Sequence, residues 1–504
     1  MESTNKAANS PLSAKRFVLF GIGIAGFLGC LDLTIVNTAL PAIQINLDAT
    51  VTQLQWVMTT LLLALTAFMV IAGKLGDLYG RRFCLYFGLI LFAVSSLGAG
   101  LATEINILIL SRFFQGISIA FLYTAPVALI PSIFPVNQHG RAMGILVGAN
   151  GLGLALGPVI GGLIVSSLGW RWIFFINPPL VLLSLALCWH VLRESKNDSV
   201  VKKIDWLGGV LLALSLPALI LAIVQGETWG WFSVPIISLF VFAILAGVVF
   251  YIVEHRVKAP IIEFHLFTER VFLIGLSANF SLAFFYAVDF FLIPLFLHFV
   301  RGQEGYKIGL MLLPATAMVT LLSSVTGRIV DQQGPKNLLM LGLGLCCVSA
   351  LMQSLFNANT NIYIVLTAYL IFGIAWACIL SPSIVAAMSS ISKDHSGVAM
   401  GTIGTLHNLG GAIGLAIGTL IYGLGVQYQF LAQLPNGGVW IKQAAANTDN
   451  AIQMIIAHAQ LSLPQATEIF QQAFLRGYQW AMWLLMAVSL IALLAVACGL
   501  KKRP

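Results

Sequence analysis

The sequence predicts an all-α membrane protein of 14 transmembrane helices, arranged as two six-helix bundles with a helix pair inserted between them. Three observations carry that expectation. Of the 504 residues, 59% are hydrophobic and only 9% charged, where a soluble chain carries about 25% charged residues. Apolar runs of about 20 residues, each long enough to cross a bilayer, recur along the whole chain. In lipid the backbone must satisfy its own hydrogen bonds, so such runs are helices. Finally, two segments of the first half return in the second half at a spacing of eight helices, not six.

Taken in order, spans 1–6 are expected at 17–40, 54–73, 83–102, 105–130, 142–166 and 172–192. FLGC (27–30) loosely resembles a lipoprotein cleavage box, but cutting there would destroy span 1, so the span is retained. Spans 2 and 3 are separated by the charged, glycine-rich turn GKLGDLYGRR (73–82). The polar stretch RESKNDSVVKKID (193–205) follows span 6 and bounds the first bundle, residues 1–192. Spans 7 and 8, at 206–225 and 234–253, form the inserted pair within a linker region 193–270. Spans 9–14, at 271–299, 308–327, 338–356, 362–388, 397–424 and 477–500, make the second bundle, 271–504. The long external loop 425–476 contains amphipathic patches such as AIQMIIAHAQLSL (451–463), which predict short helices or a hairpin resting on the outer face.

The repeats fix this arithmetic. GRIVDQQGPK (327–336) is a worn copy of GKLGDLYGRR, with Asp331 and Gly334 at the spacing of Asp77 and Gly80. RAMGILVGANGLGLALGPVIG (141–161) and VAMGTIGTLHNLGGAIGLAIG (398–418) align without gaps at nine identities in 21 positions. The copies join spans 2–3 and 10–11, or form spans 5 and 13, which points to a duplicated unit with two extra helices between its halves.

A net charge of +8 could suggest nucleic acid, but topology accounts for it. With both termini cytoplasmic, 20 Lys and Arg fall in cytoplasmic segments and five outside. That is a strong positive-inside bias, and nucleic acid is not an expected partner. The seven cysteines lie in or at the edge of apolar spans, so no disulfide or metal framework is indicated. GANGLG (148–153) lies in a membrane helix with no strand before it, which argues against a nucleotide site. His190, His298 and His407 are isolated, and each is expected to be packed or hydrogen-bonded and not a ligand. No cofactor or metal is expected.

Only two acids lie within spans, Asp32 in span 1 and Asp289 in span 9, and Arg112 in span 4 is the only Arg or Lys deep in one. A charge inside the bilayer is costly and marks a functional site. Asp32 lies ~12 Å and Arg112 ~10 Å from the same outer face at 1.5 Å per residue. Sharing a depth, they can pair if their helices face one another. Burial favours a neutral acid and a nearby guanidinium favours the anion, so a motion that separates the two would change proton affinity. The alternatives are a permanent structural ion pair, or an Arg that ties down backbone carbonyls. Asp289, among Phe284, Phe285, Tyr286, Phe290 and Phe291, is a candidate second proton site, a counter-charge for a cationic substrate, or an acid near the outer mouth.

In the loop 73–82, Gly73, Gly76 and Gly80 permit a tight turn. Asp77 is expected just before span 3, where a helix N-terminus favours a carboxylate, and Arg81 and Arg82 anchor the cytoplasmic face. The loop reads as a conformational latch and not a substrate site, with a plain topological anchor as the alternative. In span 5, Gly153, Gly157 and Gly161 clear one helix face at four-residue intervals and Pro158 adds a bend. That face is expected at the moving interface between the halves, with ordinary tight packing as the alternative.

An ordered set of segments resembles the fourteen-span drug:proton antiporters, the EmrB/QacA-type branch of the major facilitator superfamily. The set is LDLTIVNTALP (31–41), QWVMTTLLLA (55–64), GKLGDLYGRR, LILSRFFQGISIA (108–120), GLGLALGPVIGG (151–162) and WRWIFFINPP (170–179). The resemblance implies a major facilitator fold, alternating access and export driven by proton entry. It implies proton coupling at Asp32 and Arg112, gating at Gly73, Asp77, Gly80 and Arg81, and an antiporter helix marked by Gly153, Gly157, Pro158 and Gly161. It also implies that spans 1, 4, 9 and 12 line a central cavity, which brings in Asp289 and makes Phe285, Tyr286 and Trp376 candidates for the substrate wall. The second half departs from the pattern. GRIVDQQGPK keeps only part of the loop signature, which argues against a second latch, and Leu415 stands where the repeat would place a proline.

The expected function is proton-coupled export of small amphiphilic molecules or drugs across a bacterial cytoplasmic (inner) membrane, by a monomer, with a periplasmic adaptor protein as a further partner. Two acids in an aromatic-rich pore favour a lipophilic cation, while the same acids protonated would also admit neutral or anionic amphiphiles. The alternatives are an exporter of one dedicated metabolite, such as a siderophore, and a non-transporting sensor or scaffold. A scaffold has no need of a buried acid–base pair.

Overall fold

The computed structural model describes residues 12–189, 192, 205–257, 260–262, 264–303, 306–389, 391, 396–434, 451–459 and 461–499. His190 and the stretch 193–204, expected to bound the first bundle, lie outside the described residues. Among the described residues, 14 helices are long and apolar enough to cross a membrane. We number them α1 (Leu12–Ile35), α2 (Val51–Tyr79), α3 (Arg81–Gly100), α4 (Ile105–Ile133), α5 (His139–Ser167), α6 (Asn177–Trp189), α7 (Trp206–Trp229), α8 (Val234–Glu254), α9 (Arg270–Leu295), α10 (Tyr306–Gln333), α11 (Lys336–Ser354), α12 (Ile362–Ser389), α13 (Ser396–Gln433) and α14 (Leu463–Gly499).

The helix ends have local causes. The first span continues past α1 through a 3₁₀ turn, Val36–Ala39, and a short helix, Leu40–Leu47. It stops at Asp48, which takes a left-handed φ of 48°. The chain then re-enters a helix through a capping box, in which the Thr50 hydroxyl accepts from Gln53 N–H at 3.2 Å and the Gln53 carbonyl accepts from Thr50 N–H at 2.9 Å. Gly80, at φ 113°, breaks α2 from α3, and Gly334, at φ 78°, breaks α10 from α11. A side chain would strain either position, which explains why the worn loop copy kept this glycine.

The first six helices pack among themselves, as do the last six. The two sets meet along two seams, α5 against α10 and α2 against α13. The inserted helices α7 and α8 pair with each other, and α7 lies across the second seam, touching both α2 and α13. Lys74 ties this region to the loop end by donating to Pro260 O at 2.8 Å.

The segment 425–476 differs from the external loop expected there. α13 runs on to Gln433 and α14 begins at Leu463, with a short helix, Ala451–Ala459, against α14. At 1.5 Å per residue the 38 residues of α13 reach about 57 Å, well beyond a bilayer core of about 30 Å. The extensions form a two-helix stalk. Tyr422 meets Phe474 at 5.3 Å and Phe430 and Phe470 are buried. Gly425 lies so close to Gly477 that a Cβ on it would stand 2.8 Å from the Gly477 Cα. Hydropathy underestimates such helices because they bury one apolar stripe against protein and leave the rest to water.

Candidate functional site

The acid of span 1 and the base of span 4 meet. Asp32 on α1 is 1% exposed and Arg112 on α4 is fully buried. The Arg112 Nη1 donates to Asp32 Oδ2 in a direct ion pair. Gln115, one turn along α4, joins the two. Its carbonyl accepts from Arg112 Nη1 at 3.0 Å, and its amide donates to Asp32 Oδ1 at 3.3 Å and to Ser96 Oγ on α3 at 2.9 Å. Asn177 of α6 also donates to Ser96, at 3.1 Å. Arg112 Nε donates to Val57 O of α2 at 3.2 Å, and Nη2 has no partner among the described residues. Five of the first six helices thus contribute to one network, in which Arg112 and Gln115 of α4 touch the Asp32 carboxylate. Gln115, Ser96 and Asn177 escaped notice in the sequence, where single uncharged polar residues in apolar spans give little signal.

The last six helices hold a counterpart. The register that aligns 141–161 with 398–418 carries Asp32 onto Asp289, Arg112 onto Tyr369 and Ser96 onto Gln353. Asp289 on α9 is fully buried; Tyr369 donates to its Oδ2 at 2.8 Å, and its Oδ1 has no partner among the described residues. Nearby, Tyr478 of α14 donates to the Gln353 carbonyl, and the Gln353 amide donates to Ser349 at 3.3 Å. The repeat thus keeps the acid and replaces the cation with a phenol. Asp289 is not near an outer mouth; it is sealed inside its own bundle.

Between the bundles lies a cavity of about 220 Å³. Tyr286, Trp376, His407, Asn150, Asn279 and Asn408 line it, while Asp32, Arg112 and Asp289 do not. Tyr286 stacks on Trp376 at 5.3 Å and on His407 at 5.6 Å. Phe285 is a correction to the expected wall. It turns away and stacks on Phe372 at 4.7 Å, 1% exposed. Successive residues on a helix point about 100° apart, so Phe285 and Tyr286 cannot share a face.

At one end the two bundles are locked together twice. Asp77 lies in the last turn of α2, not ahead of α3 as expected, and it reaches across to the other bundle. Its carboxylate accepts from Gly397 N–H at 3.0 Å and Val398 N–H at 2.9 Å, the first turn of α13. Arg81 holds it from behind, Nη2 to Oδ1 at 3.0 Å. The carboxylate still meets a helix N-terminus with its unpaired donors and positive dipole end, but a different helix. The second loop copy makes the same kind of contact: Asp331 accepts from Gly140 N–H at 2.6 Å and Arg141 N–H at 2.9 Å, at the start of α5. The Asp–helix contact needs only the acid, so it survives the loss of the arginines. At both locks glycines bring the chains together: a Cβ on Gly73 would stand 2.7 Å from Gly397 C, and one on Gly327 would stand 2.7 Å from Gly140 C.

The expected moving face of span 5 also needs correcting. Gly153, Gly157 and Gly161 pack on α1, within the first bundle; a Cβ on Gly157 would stand 2.9 Å from Thr34 Cβ, and one on Gly161 2.8 Å from Ile35 Cγ1. Pro158, beside them, stands within α5. The seam with α10 uses another stripe, Gly140, Gly144 and Gly148, where a Cβ on Gly144 would stand 2.7 Å from Ser323 C. A glycine-rich helix can be close-packed on two sides, and four-residue spacing does not say which neighbour each stripe meets.

The likeness to known proteins agrees with this architecture. The family model of the Major Facilitator Superfamily matches residues 22–415. The multidrug resistance protein Stp of Mycobacterium tuberculosis is 31% identical over 400 residues, 79% of this chain and 74% of that protein. The tetracenomycin C resistance and export protein of Streptomyces glaucescens is 29% identical over 499 residues, 96% of this chain and 92% of that protein. Among solved structures, the proton:xylose symporter XylE superposes with a TM-score of 0.62 over 98% of this chain and 97% of its own, at 15% identity, a likeness of fold. With the family model spanning most of the chain and the bundles, cavity and repeats in place, the protein belongs to the Major Facilitator Superfamily, a membrane transporter and not an enzyme.

Proposed function

We propose that this chain is a proton-coupled exporter of small amphiphilic molecules, working by alternating access in a bacterial cytoplasmic membrane. The single observation that carries the coupling is the buried Asp32–Arg112–Gln115 network beside the cavity. Protonation of Asp32 would remove its charge and release Arg112, whose guanidinium must then be satisfied elsewhere, by Gln115 and by a new acceptor for the Nη2 that has no partner now. A buried charge left unpaired is costly, so the rearrangement drives a change of conformation. A proton falling through 100 mV supplies about 2.3 kcal/mol, enough for roughly fiftyfold concentration of a neutral substrate.

The end closed by Asp77 and Asp331 is cytoplasmic in this proposal, and so are both termini. The positive-inside bias supports that orientation, since Arg81, Arg82, Arg141, Arg328 and Lys336 gather at the loops of this end. Gly73, Gly80 and Arg81 serve the Asp77 gate, and Gly153, Gly157, Pro158 and Gly161 hold α5 to α1 as a unit. The transporter acts as a monomer, and the α13–α14 stalk at the opposite end offers a seat for a periplasmic adaptor. The names of the resistance and export relatives support a drug-like substrate.

The test is the Asp32→Asn variant in liposomes under an imposed pH gradient. Asparagine keeps the shape of aspartate but cannot cycle a proton, so gradient-driven export should fall to background while the protein stays folded. Undiminished gradient-driven export by that variant would sink the proposal for Asp32 and leave Asp289 as the coupling acid.

A further inference from the structure

Two cavities follow one another along the same helices. On four helices the lining residue of the central cavity nearest the locked end is Val127 (α4), Met143 (α5), Ile384 (α12) or Met400 (α13). Beyond them lies a larger cavity of about 810 Å³, with Asp331 in its wall. Val127 and Met143 line both cavities. On α12 and α13 the wall passes from one cavity to the other within about one turn, from Ile384 to Met388 and from Met400 to Ser396. One layer of side chains separates the two spaces.

That layer is built twice. The register that carries Asp32 onto Asp289 also carries Val127 onto Ile384 and Met143 onto Met400. Helix α5 packs on α12 and α4 on α13, and the neighbours α4–α5 and α12–α13 touch as well. The four side chains therefore come from a closed ring of helices, two from each bundle. Val127 and Ile384 are 5% exposed, Met143 4% and Met400 7%. An apolar constriction of this kind excludes water, and hydrated ions with it. Methionine is unbranched and polarizable and fits itself to varied apolar partners. Such a layer can reshape around the apolar body of an amphiphile while it holds back charge.

The layer is also tied to the locks. Gly140, whose N–H is held by Asp331, precedes Met143 by three residues, and Gly397, held by Asp77, precedes Met400 by three. Each lock fixes the helix start that carries one methionine. The larger cavity belongs to one side only. Its wall includes His139 and Asp331 of the α5–α10 seam, and its described lining residues include none from α2.

Resting on the export reading above for its direction, we propose that Val127, Met143, Ile384 and Met400 form the inner gate of the transport path. The larger cavity is the vestibule through which an amphiphile reaches that gate. Release of Asp331 frees the start of α5 and with it Met143, so the substrate enters past α5 and α10 and not past α2.

Cysteine labelling of the full-length protein in inside-out membrane vesicles tests this, without substrate or gradient. In a background lacking the native cysteines, Ser389→Cys reports the vestibule and Asn408→Cys the central cavity. The reagent is a small impermeant methanethiosulfonate, compared with a bulky maleimide carrying a sulfonated dye. In the parent, Ser389→Cys should react at least about tenfold faster than Asn408→Cys. Met143→Ala with Met400→Ala should raise the Asn408→Cys rate roughly tenfold for the small reagent. It should leave the bulky reagent and the Ser389→Cys rate unchanged. Met143→Leu with Met400→Leu, which keeps the layer apolar and filled, should stay near the parent. Adding Val385→Trp, which fills the vestibule, to the alanine pair should slow Asn408→Cys at least about threefold. Thermal unfolding of each variant checks the fold.

Equal rates at the two reporters in the parent would overturn the gate, as would no effect of the alanine pair. An equal gain for the bulky reagent would also overturn it, because that marks a shift of the whole protein toward an open state. No effect of Val385→Trp would overturn the route. The ratios are read on whichever vesicle face labels Ser389→Cys. A wrong orientation therefore shows as a change of side, and a failure of Asp32 coupling leaves these ratios untouched.

Discussion

Gln115 is the residue through which Asp32, Arg112 and Ser96 become one network, since its two amide atoms touch all three. Gln115→Leu keeps volume but leaves Ser96 and one carboxylate oxygen without the amide. A buried polar group stripped of its partner costs about 1–3 kcal/mol, so gradient-driven transport should slow roughly tenfold. Initial export rates from liposomes measure this, and an unchanged rate would reduce Gln115 to packing. Asp289 presents the complementary case. It has a phenol where Asp32 has a guanidinium, so Asp289→Asn preserves the Tyr369 donor bond and introduces no unpaired charge. If Asp289 is a second proton site, this variant should still transport but with fewer protons per substrate. The pH gradient at which net flux reverses reads that ratio, and an identical reversal point would assign Asp289 a structural part. The two buried acids were legible in the sequence because a lone charge in an apolar run is conspicuous. Gln115 and Tyr369 were not, because either residue type can sit in a span for ordinary packing.

At the scale of the element, α5 carries two glycine stripes with different neighbours. Gly144 faces Ser323 on α10 across the seam between bundles, and Gly157 faces Thr34 on α1 within a bundle. Overpacking a tight contact costs about 1–3 kcal/mol, but the consequence depends on whether the contact must part during the cycle. Gly144→Leu should fold normally and be unable to close the Asp77–Asp331 end. Gly157→Leu should lower thermal stability, because the contact it wedges does not open. Unfolding temperature in detergent, read beside transport, separates the two; the same loss of stability in both variants would contradict the division of α5 into a moving and a fixed face. The stalk gives the converse lesson. α13 and α14 run beyond the spans that hydropathy marks, because a hydropathy window registers burial in lipid and not burial of Tyr422 and Phe474 against each other.

For the molecule as a whole, the two crossed locks act on one equilibrium. Asp77 holds the start of α13 and Asp331 holds the start of α5. Hydrogen bonds to a charged group contribute about 1.5–3 kcal/mol, so losing one lock should raise the population open at that end roughly tenfold or more. The Asp77→Ala and Asp331→Ala effects should multiply, since they sit on separate seams. A cysteine placed by Met143→Cys, which lines the cavity, in a background lacking the native cysteines, reports this through labelling by an impermeant maleimide. Each single variant should label faster than the parent and the double variant fastest; no change with Asp331→Ala would leave Asp77 as the working lock and the second as a relic of duplication.

What the chain determined by itself is what depends on composition along one dimension. That includes the 14 spans, the duplicated halves with their inserted pair, and the presence of Asp32, Arg112 and Asp289 within spans. Lipid imposes these directly, through the cost of exposing backbone and charge to hydrocarbon. Only the tertiary structure decided which way each helix turns. It set Tyr286 and not Phe285 on the cavity, Gly157 against α1 and not α10, and Asp77 on the start of α13 and not α3. The physical reason is that a bilayer favours every apolar face of a helix almost equally. Rotation about the helix axis is therefore set by packing and hydrogen bonds to neighbours distant in the sequence.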